Sequence, residues 1–371
     1  MRMAKLLTKK HGLITNSLIS AMFFRRYQRM LTVGIQQNSN PQASVTSRIA
    51  VGRSLKNASE YGTVSPTQND MTKKPKVAEI SHQNAAKVLA NYDTILLDCD
   101  GVLWQTDHVT PIQGIPSVIS MLRDQGKEVL FVTNNSMHAR HEYLQKFQSH
   151  GFDAAQEDIF CVAYASALYL QKTVGFHGSV YVIGNEGMSH ELDLARINHF
   201  GTGADPDPVY NSIRDLHEIH LLDNVEAVLV GYDKHFSLNK LFKACSYLTN
   251  HTCSYIATNS IEKSVLLASN RRQPLTGAIV DAVTSASKRT PTVLGKPHPL
   301  LFSCIRAARP HVNPARTLII GDSVPSDMGL AKAAGIDSAL VLTGASTLST
   351  LGNFPGLEPE FFLQSLTSLI H

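Results

Sequence analysis

Short apolar runs alternate with amphipathic, helix-like segments along most of the chain after residue 80. The predicted strands are Thr94–Asp98, Glu128–Thr133, Val180–Gly184, Ala227–Gly231, Tyr255–Thr258, Thr317–Asp322 and Ser338–Thr343. The predicted helices are Ile115–Gln125, Ala139–His150, Glu186–Phe200, Leu238–Asn250, Gly277–Lys288, Ser326–Ala334 and a closing helix near Pro359–Ile370. This alternation is typical of βαβ units, and it predicts an α/β fold built on a parallel sheet.

Two carboxylates follow the first predicted strand. Asp98 and Asp100 come directly after an apolar run that reads as a buried parallel strand, and Gly101 allows the chain to turn sharply. In an open α/β sheet the ligand crevice lies outside the carboxyl ends of the strands, so this position favours a functional site. Acids in such a place can also cap a helix, close a turn or bind calcium, so the pair needs partners elsewhere in the chain.

Candidate partners occur at other strand ends and in loops. The segment Thr133-Asn134-Asn135-Ser136 follows the second strand, Lys296 lies between a glycine and a proline, and Asp322 and Asp327 follow a later strand. Each alone is also compatible with a helix cap, a surface lysine or an acid in a first helical turn. Their order and placement together predict one site.

Phosphoryl transfer requires these residue types. A phosphate monoester is a dianion that repels a carboxylate nucleophile, so a hard cation bound by oxygen ligands is needed to neutralise charge. We expect Mg²⁺ to be bound by Asp98, Asp322 and the main-chain carbonyl of Asp100. Asp98 is the expected nucleophile. Asp100 would protonate the leaving group and later take a proton from water.

The remaining residues of the set have binding or supporting roles. Thr133, Asn134 and Asn135 are expected to hydrogen-bond the phosphate oxygens through a hydroxyl and amides. Lys296 supplies a positive charge that is most useful in the transition state. Asp327 is expected to orient Lys296 or the metal ligands without coordinating the metal directly.

Charge is distributed unevenly along the chain. The first 59 of the 371 residues contain ten Lys or Arg and no Asp or Glu, whereas 24 basic and 30 acidic residues remain after them, a net charge of −6. The mildly acidic body argues against a nucleic-acid partner. The basic, acid-free leader resembles a mitochondrial transit peptide; a disordered tail on a cytoplasmic protein or an over-extended gene model is the alternative.

The leader and linker are predicted over residues 1–79. The uncharged run from Gly12 to Phe24 is too short for a transmembrane helix, and none is expected. Five scattered cysteines without C-x-x-C pairs fit a reducing compartment and argue against a disulfide scaffold or a zinc finger.

Four motifs identify a resemblance. The segments Asp98–Trp104, Val132–Ser136, Gly295–Pro297 and Gly321–Asp327 resemble the four motifs of the haloacid dehalogenase-like superfamily. More narrowly, the chain from about Ala86 to Leu351 is similar to the group of phosphoglycolate, 4-nitrophenylphosphate and pyridoxal-phosphate phosphatases.

The resemblance implies a Rossmann-like core, here residues 80–174 and 291–371, interrupted by an α/β cap at residues 175–290. It also implies a magnesium-dependent aspartyl-phosphate mechanism and a homodimer formed through the cap. The chain departs from the family pattern at two cap positions, because Ile261 replaces an aspartate and Leu275 replaces a glycine. These changes affect the expected substrate specificity and leave the catalytic motifs intact.

The sequence therefore predicts a magnesium-dependent phosphatase of small phosphate monoesters, of the phosphoglycolate or 4-nitrophenylphosphate type. A pyridoxal-phosphate or phosphoprotein phosphatase is the nearest alternative. A phosphomutase would use the same acids, and a non-catalytic binding protein on this fold is a further alternative. Dehalogenation is disfavoured because it needs neither Asp100 nor a metal. The absence of predicted membrane helices argues against a transport ATPase.

Overall fold

The computed structural model describes residues 77–172 and 176–370. Residues 1–76, which contain most of the predicted leader, lie outside the described part of the chain, as do residues 173–175 and 371. The transit-peptide assignment therefore stays a prediction. Within the described residues, no helix has the length and apolar character needed to cross a membrane.

The secondary structure of the described residues follows an alternating βα order. Its strands are β1 (Ala78–Glu79), β2 (Thr94–Leu97), β3 (Glu128–Thr133), β4 (Ile159–Cys161), β5 (Ser179–Ile183), β6 (His199–Phe200), β7 (Val225–Val230), β8 (Ser254–Ala257), β9 (Ser264–Ala268), β10 (Arg271–Pro274), β11 (Thr292–Val293), β12 (Thr317–Gly321), β13 (Asp337–Val341) and β14 (Phe361–Leu363). Its α-helices are α1 (His82–Leu89), α2 (Ile115–Asp124), α3 (Arg140–Ser149), α4 (Val162–Lys172), α5 (Glu186–Leu194), α6 (Ile213–Glu218), α7 (Leu238–Leu248), α8 (Thr276–Ser287), α9 (Leu300–Ala308) and α10 (Gly329–Ala334). A π-helical turn, Val324–Met328, leads into α10.

Seven strands form a parallel sheet in the order β1-β14-β13-β12-β2-β3-β4. The central strands are buried on both faces, as Ile95 and Leu96 of β2 and Ile319 of β12 have no exposed surface. Burial on both faces explains why these strands are continuous apolar runs. The predicted α/β fold with a parallel-sheet core is confirmed. The sheet begins at Ala78, slightly before the predicted start of order near residue 80.

A second sheet lies between β4 and β12 in the chain. Its five parallel strands have the order β11-β8-β7-β5-β6, and the antiparallel hairpin β9-β10 accompanies it. We call residues 179–293 the insert. The insert has its own apolar core, which includes Tyr181, Val228, Tyr247 and Val283. It also includes β11, which the predicted boundary at residue 290 assigned to the first sheet.

Two predicted helices differ from the structure. The prediction of a closing helix near Pro359–Ile370 is wrong. The segment Phe361–Leu363 pairs with β13 as β14, and only a 3₁₀ turn, Leu366–Leu369, follows. Two aromatic residues and a leucine suit a strand packed against a sheet edge. The predicted helix Glu186–Phe200 ends early, at Leu194, since Arg196 adopts a left-handed conformation with φ 57° and Phe200 lies in β6.

The sequence did not predict several elements, among them β4 with α4, the helices α1, α6 and α9, and the hairpin β9-β10. The strand β4 has only three residues and passes into α4 without an intervening loop, so no turn residue marks the boundary. The hairpin contains polar residues at most positions of β10, which hides its strand character.

Aromatic packing fixes the turn that follows β2. The Trp104 ring lies 5.6 Å from the Phe147 ring of α3, and Phe147 lies 4.6 Å from Phe131 of β3. The Lys146 ammonium sits 3.3 Å from the centre of the Trp104 ring, in a cation–π contact. The turn is therefore anchored to the core by a side chain with no exposed surface.

The buried ion pair of the insert allows a stability test. Lys240 Nζ lies 2.5 Å from Asp233 Oδ2, and the two side chains are 1% and 0% exposed. We expect Lys240→Met to lower the free energy of unfolding by about 3–5 kcal/mol, because Asp233 then keeps a buried charge without its partner. The double variant with Asp233→Asn should recover part of this loss. Urea unfolding followed by circular dichroism measures both effects, and a Lys240→Met loss below about 1 kcal/mol would contradict the prediction.

Candidate active site

The carboxyl ends of three neighbouring strands meet at one edge of the first sheet. Because β2 lies between β12 and β3, the residues at or directly after the ends of these strands, Asp98, Thr133 and Asp322, are brought together. Lys296 reaches the same place from the segment that leaves the insert after β11. The convergence predicted from the sequence is thus found in the structure.

Lys296 is the centre of the site. Its Nζ lies 2.7 Å from Asp98 Oδ1 and 2.7 Å from Asp327 Oδ1, and it donates a hydrogen bond of 3.2 Å to the Val132 carbonyl. The Lys296 side chain is 2% exposed and that of Asp327 is fully buried. Burial opposes the charged ammonium, but the carboxylates of Asp327 and Asp98 outweigh it and raise the pKa of Lys296. The lysine is therefore a fixed positive charge.

Asp322 is held beside this pair by main-chain contacts. Ala345 N donates to Asp322 Oδ2 at 2.7 Å. Two glycines enclose the carboxyl, since a Cβ at Gly101 would lie 2.3 Å from Asp322 Oδ2 and a Cβ at Gly344 only 1.9 Å away. Gly101 also has a φ of 76°, which a larger residue rarely adopts. No side chain larger than hydrogen fits at either position.

The acids carry more negative charge than Lys296 neutralises. Carboxylate oxygens of Asp98, Asp322 and Asp327 lie within 4.8 Å of one another, and all three residues are buried. Burial and the Asp327 charge raise the pKa of Asp98 well above its usual range, and the same two causes raise the pKa of Asp322 to about 6. Three buried carboxylates around one ammonium, with oxygen ligands and glycine-lined space, form a donor set that fits a hard divalent cation.

Asp100 points to different partners. Its Oδ1 accepts hydrogen bonds from Trp104 Nε1 at 2.5 Å and from His108 Nδ1 at 2.7 Å. Burial favours its neutral form, yet the bonds from His108 and Trp104 prevail and lower the pKa of Asp100. The Asp100 carboxyl is not among the three clustered acids identified in the described residues. Any contribution of Asp100 to a metal site would come from its main chain.

The loop after β3 uses its polar side chains mainly to fix its own shape. The Asn134 side chain accepts from Lys296 N at 2.8 Å and donates to Lys296 O at 3.0 Å. Asn135 Oδ1 accepts from Met137 N, and Thr133 Oγ1 accepts from Asn135 N. Of the residues predicted to bind phosphate, Asn134 and Asn135 therefore have structural side-chain contacts. The three protons of the Lys296 ammonium face Asp98, Asp327 and the Val132 carbonyl, so Lys296 offers a phosphate mainly its positive charge.

The insert also contacts the loop after β3. Asn259 Nδ2 donates to the Asn134 carbonyl at 3.1 Å, and Tyr232 N donates to Ser136 Oγ at 3.1 Å. At the start of α3, Arg140 pairs with Glu191 of α5 at 2.9 Å, and the Glu191 side chain is 1% exposed. These contacts fix the insert against the edge of the sheet at which Asp98, Asp322 and Lys296 meet.

Sequence reasoning missed His108, the Arg140–Glu191 pair and Glu262. Glu262 lies in the loop after β8, faces the Asn134 side chain, and has a pKa raised by burial against the opposing effect of Lys296. One signal could have identified this loop, because it also follows the carboxyl end of a parallel strand. His108 and Arg140 had no comparable signal, since their roles depend on contacts made by folding.

Comparison with known proteins agrees with this arrangement. Residues 95–198 match the family model of the haloacid dehalogenase-like hydrolases, and residues 293–369 match the related HAD-hydrolase-like model. The chain is 35% identical to glycerol-3-phosphate phosphatase of Gallus gallus over 78% of its length and 94% of that protein. It is also 35% identical to chronophin of Rattus norvegicus, over 76% of this chain and 88% of that one.

Solved structures give the same result. The p-nitrophenyl phosphatase of Archaeoglobus fulgidus superposes with a TM-score of 0.62 at 26% sequence identity, covering 75% of this chain and 98% of that one. The similarity extends over about three quarters of this chain and nearly the whole of the p-nitrophenyl phosphatase. The chain belongs to the haloacid dehalogenase-like hydrolases and is a phosphatase, a phosphoric monoester hydrolase.

Proposed function

We propose that this protein is a magnesium-dependent phosphatase that hydrolyses small phosphate monoesters through an aspartyl-phosphate on Asp98. The observation that carries the proposal is the buried Lys296, which contacts Asp98 and Asp327 beside the carboxylate of Asp322. An excess of buried negative charge at a sheet edge is costly unless a bound cation balances it.

The metal ligands in this proposal are the carboxylates of Asp98 and Asp322 and the main-chain carbonyl of Asp100. Bound Mg²⁺ would neutralise the charge of the phosphate dianion and orient it. Asp327 is committed to Lys296 and to Ser323 N, which donates to its Oδ2 at 3.0 Å. Its role is therefore to position the lysine.

Asp98 is suited to nucleophilic attack. Its Oδ1 is held by Cys99 N at 2.7 Å and by Lys296 Nζ at 2.7 Å. The other oxygen forms the bond to phosphorus while the bond from phosphorus to the leaving oxygen breaks. Lys296 and the Thr133 hydroxyl stabilise the charge on the transferring group. Water then cleaves the aspartyl-phosphate and regenerates Asp98.

Asp100 is the proposed acid and base. Trp104 and His108 both bind its Oδ1, which leaves Oδ2 to deliver a proton to the leaving oxygen. The same oxygen afterwards takes a proton from the attacking water, so the group ends each cycle in its starting state.

The substrate proposal is a small phosphorylated metabolite. Similarity to glycerol-3-phosphate phosphatases supports glycerol phosphate as a candidate beside phosphoglycolate and 4-nitrophenyl phosphate. A kinetic panel of these three esters, pyridoxal phosphate and a phosphotyrosine peptide, each with Mg²⁺, tests the assignment. Release of inorganic phosphate from the peptide or from pyridoxal phosphate in preference to the small esters would favour the alternative substrates.

Two further proposals concern the whole protein. The basic leader supports targeting to mitochondria, with a cytoplasmic protein as the alternative.

A homodimer formed through the insert is supported by three consecutive apolar residues on β9, Val265, Leu266 and Leu267, which are 41%, 55% and 63% exposed.

Removal of the nucleophile tests the mechanism. We expect Asp98→Asn to lower kcat for 4-nitrophenyl phosphate by at least about 1,000-fold, because an amide cannot form the phosphoenzyme. Circular dichroism should show an unchanged fold. Retention of magnesium-dependent turnover by a folded Asp98→Asn protein would refute the aspartyl-phosphate proposal.

The raised pKa of Asp322 predicts a pH effect on stability. Folding raises the pKa of this acid from 3.8 to about 6, so the folded state holds its proton more tightly than the unfolded state. This stabilisation is complete below about pH 4 and is lost as the pH rises through 6. Metal-free protein should therefore melt at a lower temperature at pH 7.5 than at pH 5.5, relative to Asp322→Asn.

Mg²⁺ should reverse this loss. At pH 7.5 the ion should raise the melting temperature of the wild-type protein and leave that of Asp322→Asn nearly unchanged. Differential scanning calorimetry with and without chelator measures both effects. An equal response of the two proteins to Mg²⁺ would contradict the assigned ligand.

The apolar face of β9 predicts an association effect. Leu267→Asp should convert the proposed dimer into monomers, because a charge on the buried face of an interface is costly. Sedimentation velocity measures the change. Leu348→Asp places the same charge at an exposed apolar residue of the first sheet's domain and should leave association unaltered. A monomeric wild-type protein at micromolar concentration would refute the dimer.

A further inference from the structure

The proposed acid–base residue Asp100 receives two hydrogen bonds on one oxygen. Its Oδ1 accepts from Trp104 Nε1 at 2.5 Å and from His108 Nδ1 at 2.7 Å. The Trp104 side chain has no exposed surface, so the core holds its ring in place. His108 differs, because its side chain is 62% exposed and needs another restraint to stay beside Asp100.

The turn that carries His108 is fixed by its own hydrogen bonds. We call residues 105–110 the His108 turn. Asp107 Oδ1 accepts from Val109 N and from Thr110 N, both at 2.9 Å. His108 itself has a φ of 62°, in the left-handed region. This conformation is uncommon for residues other than glycine, and it persists only where the surrounding contacts hold it.

Lys146 of α3 connects the His108 turn to the second donor. Its ammonium donates to the His108 carbonyl at 2.7 Å and lies 3.3 Å from the centre of the Trp104 ring. One cation therefore contacts both residues that donate to Asp100. An exposed pair of a histidine and a carboxylate contributes little to stability. What these contacts provide is a restrained position for the Asp100 carboxyl.

Proton delivery to the leaving group depends on that position. While an oxygen of Asp98 bonds to phosphorus, the electron pair of the breaking phosphorus–oxygen bond passes to the leaving oxygen, which takes the proton from Asp100 Oδ2. Because His108 and Trp104 occupy Oδ1, the other oxygen is left for this transfer. A carboxyl free to rotate would present Oδ2 to the leaving oxygen for only part of the time.

We propose that His108 is a positioning residue that holds the Asp100 carboxyl for protonation of poor leaving groups. Its effect is largest for esters of alkyl alcohols, because an alkoxide must be protonated as it leaves. Its effect is smallest for 4-nitrophenyl phosphate, since nitrophenolate is stable without a proton. The inference rests on the proposed role of Asp100 and goes beyond it by assigning a function to the exposed turn beside it.

The test compares kcat/KM for 4-nitrophenyl phosphate and for an alkyl phosphate that the wild-type protein hydrolyses, glycerol 3-phosphate or phosphoglycolate. His108→Gly removes the donor and keeps the left-handed φ without strain. General acid catalysis contributes about 100-fold or more, so loss of one restraint on the acid should lower kcat/KM for the alkyl phosphate about tenfold. The value for 4-nitrophenyl phosphate should change by less than about twofold.

A conservative variant separates the hydrogen bond from the turn. His108→Asn places an amide N–H near the position of Nδ1, and asparagine also adopts left-handed conformations. It should restore most of the kcat/KM that His108→Gly loses on the alkyl phosphate.

His311→Gly is the matched control. The His311 side chain is 67% exposed and lies 2.9 Å from Glu128, at the end of β3 opposite to the site. The control therefore removes a similarly exposed histidine from a similar carboxylate pair. It should leave kcat/KM for both esters at the wild-type level.

The ratio of the two kcat/KM values in one sample does not depend on the folded fraction, so partial unfolding cannot imitate the expected result. Equal losses for both esters in His108→Gly, no loss for either, or no recovery in His108→Asn would overturn the inference. A wild-type protein that hydrolyses 4-nitrophenyl phosphate and no alkyl phosphate would overturn it as well. Absence of turnover on every ester, or retention of turnover by Asp98→Asn, would instead contradict the proposed phosphatase mechanism.

Discussion

The buried ammonium of Lys296 is the interaction on which the site depends. It lies between Asp98 and Asp327 at the edge of the sheet. Its positive charge offsets the negative charge of these carboxylates, which are buried away from water. Lys296 opposes the burial that raises the pKa of Asp98, so without it Asp98 would hold a proton still more tightly. Lys296 therefore contributes both to the stability of the buried acids and to the proposed chemistry. In the proposed mechanism, the group that permits three acids to be buried together is also the group whose charge attracts the phosphate.

The two sheets contribute to this arrangement in different ways. The parallel sheet supplies geometry, because the ends of β12, β2 and β3 bring Asp322, Asp98 and Thr133 together without further support. The insert supplies restraint, since it contacts the loop after β3 through Asn259, Tyr232 and the Arg140–Glu191 pair. In the proposed mechanism, phosphate chemistry therefore takes place at the core, and the insert provides the environment of the leaving group. This division explains how one catalytic edge can serve enzymes with different substrates.

The sequence was sufficient to predict the parallel sheet and the residues that meet at its edge. A βα alternation and the rule that strands deliver their carboxyl ends to a crevice are local patterns, so Asp98, Thr133 and Asp322 could be identified from them. Lys296 was identified by its place between a glycine and a proline and by the resemblance of the four motifs. The orientation of the Asp100 carboxyl could not, because its partner His108 occupies a left-handed turn whose position depends on the packing of Trp104. The closing strand β14 was missed for a related reason. Its pairing with β13 is a tertiary contact that outweighs local helix propensity.

Asn134 connects three distant segments of the chain through a single residue. Its side chain binds the main chain of Lys296, and its carbonyl receives the side chain of Asn259. Because Asn134 contacts segments of both domains, a substitution that suited only one domain would disrupt its contacts with the other. Exchange of the insert between relatives would have to carry along the segments around residues 134, 259 and 296 as one set. Divergence in substrate range is therefore directed into positions outside this junction.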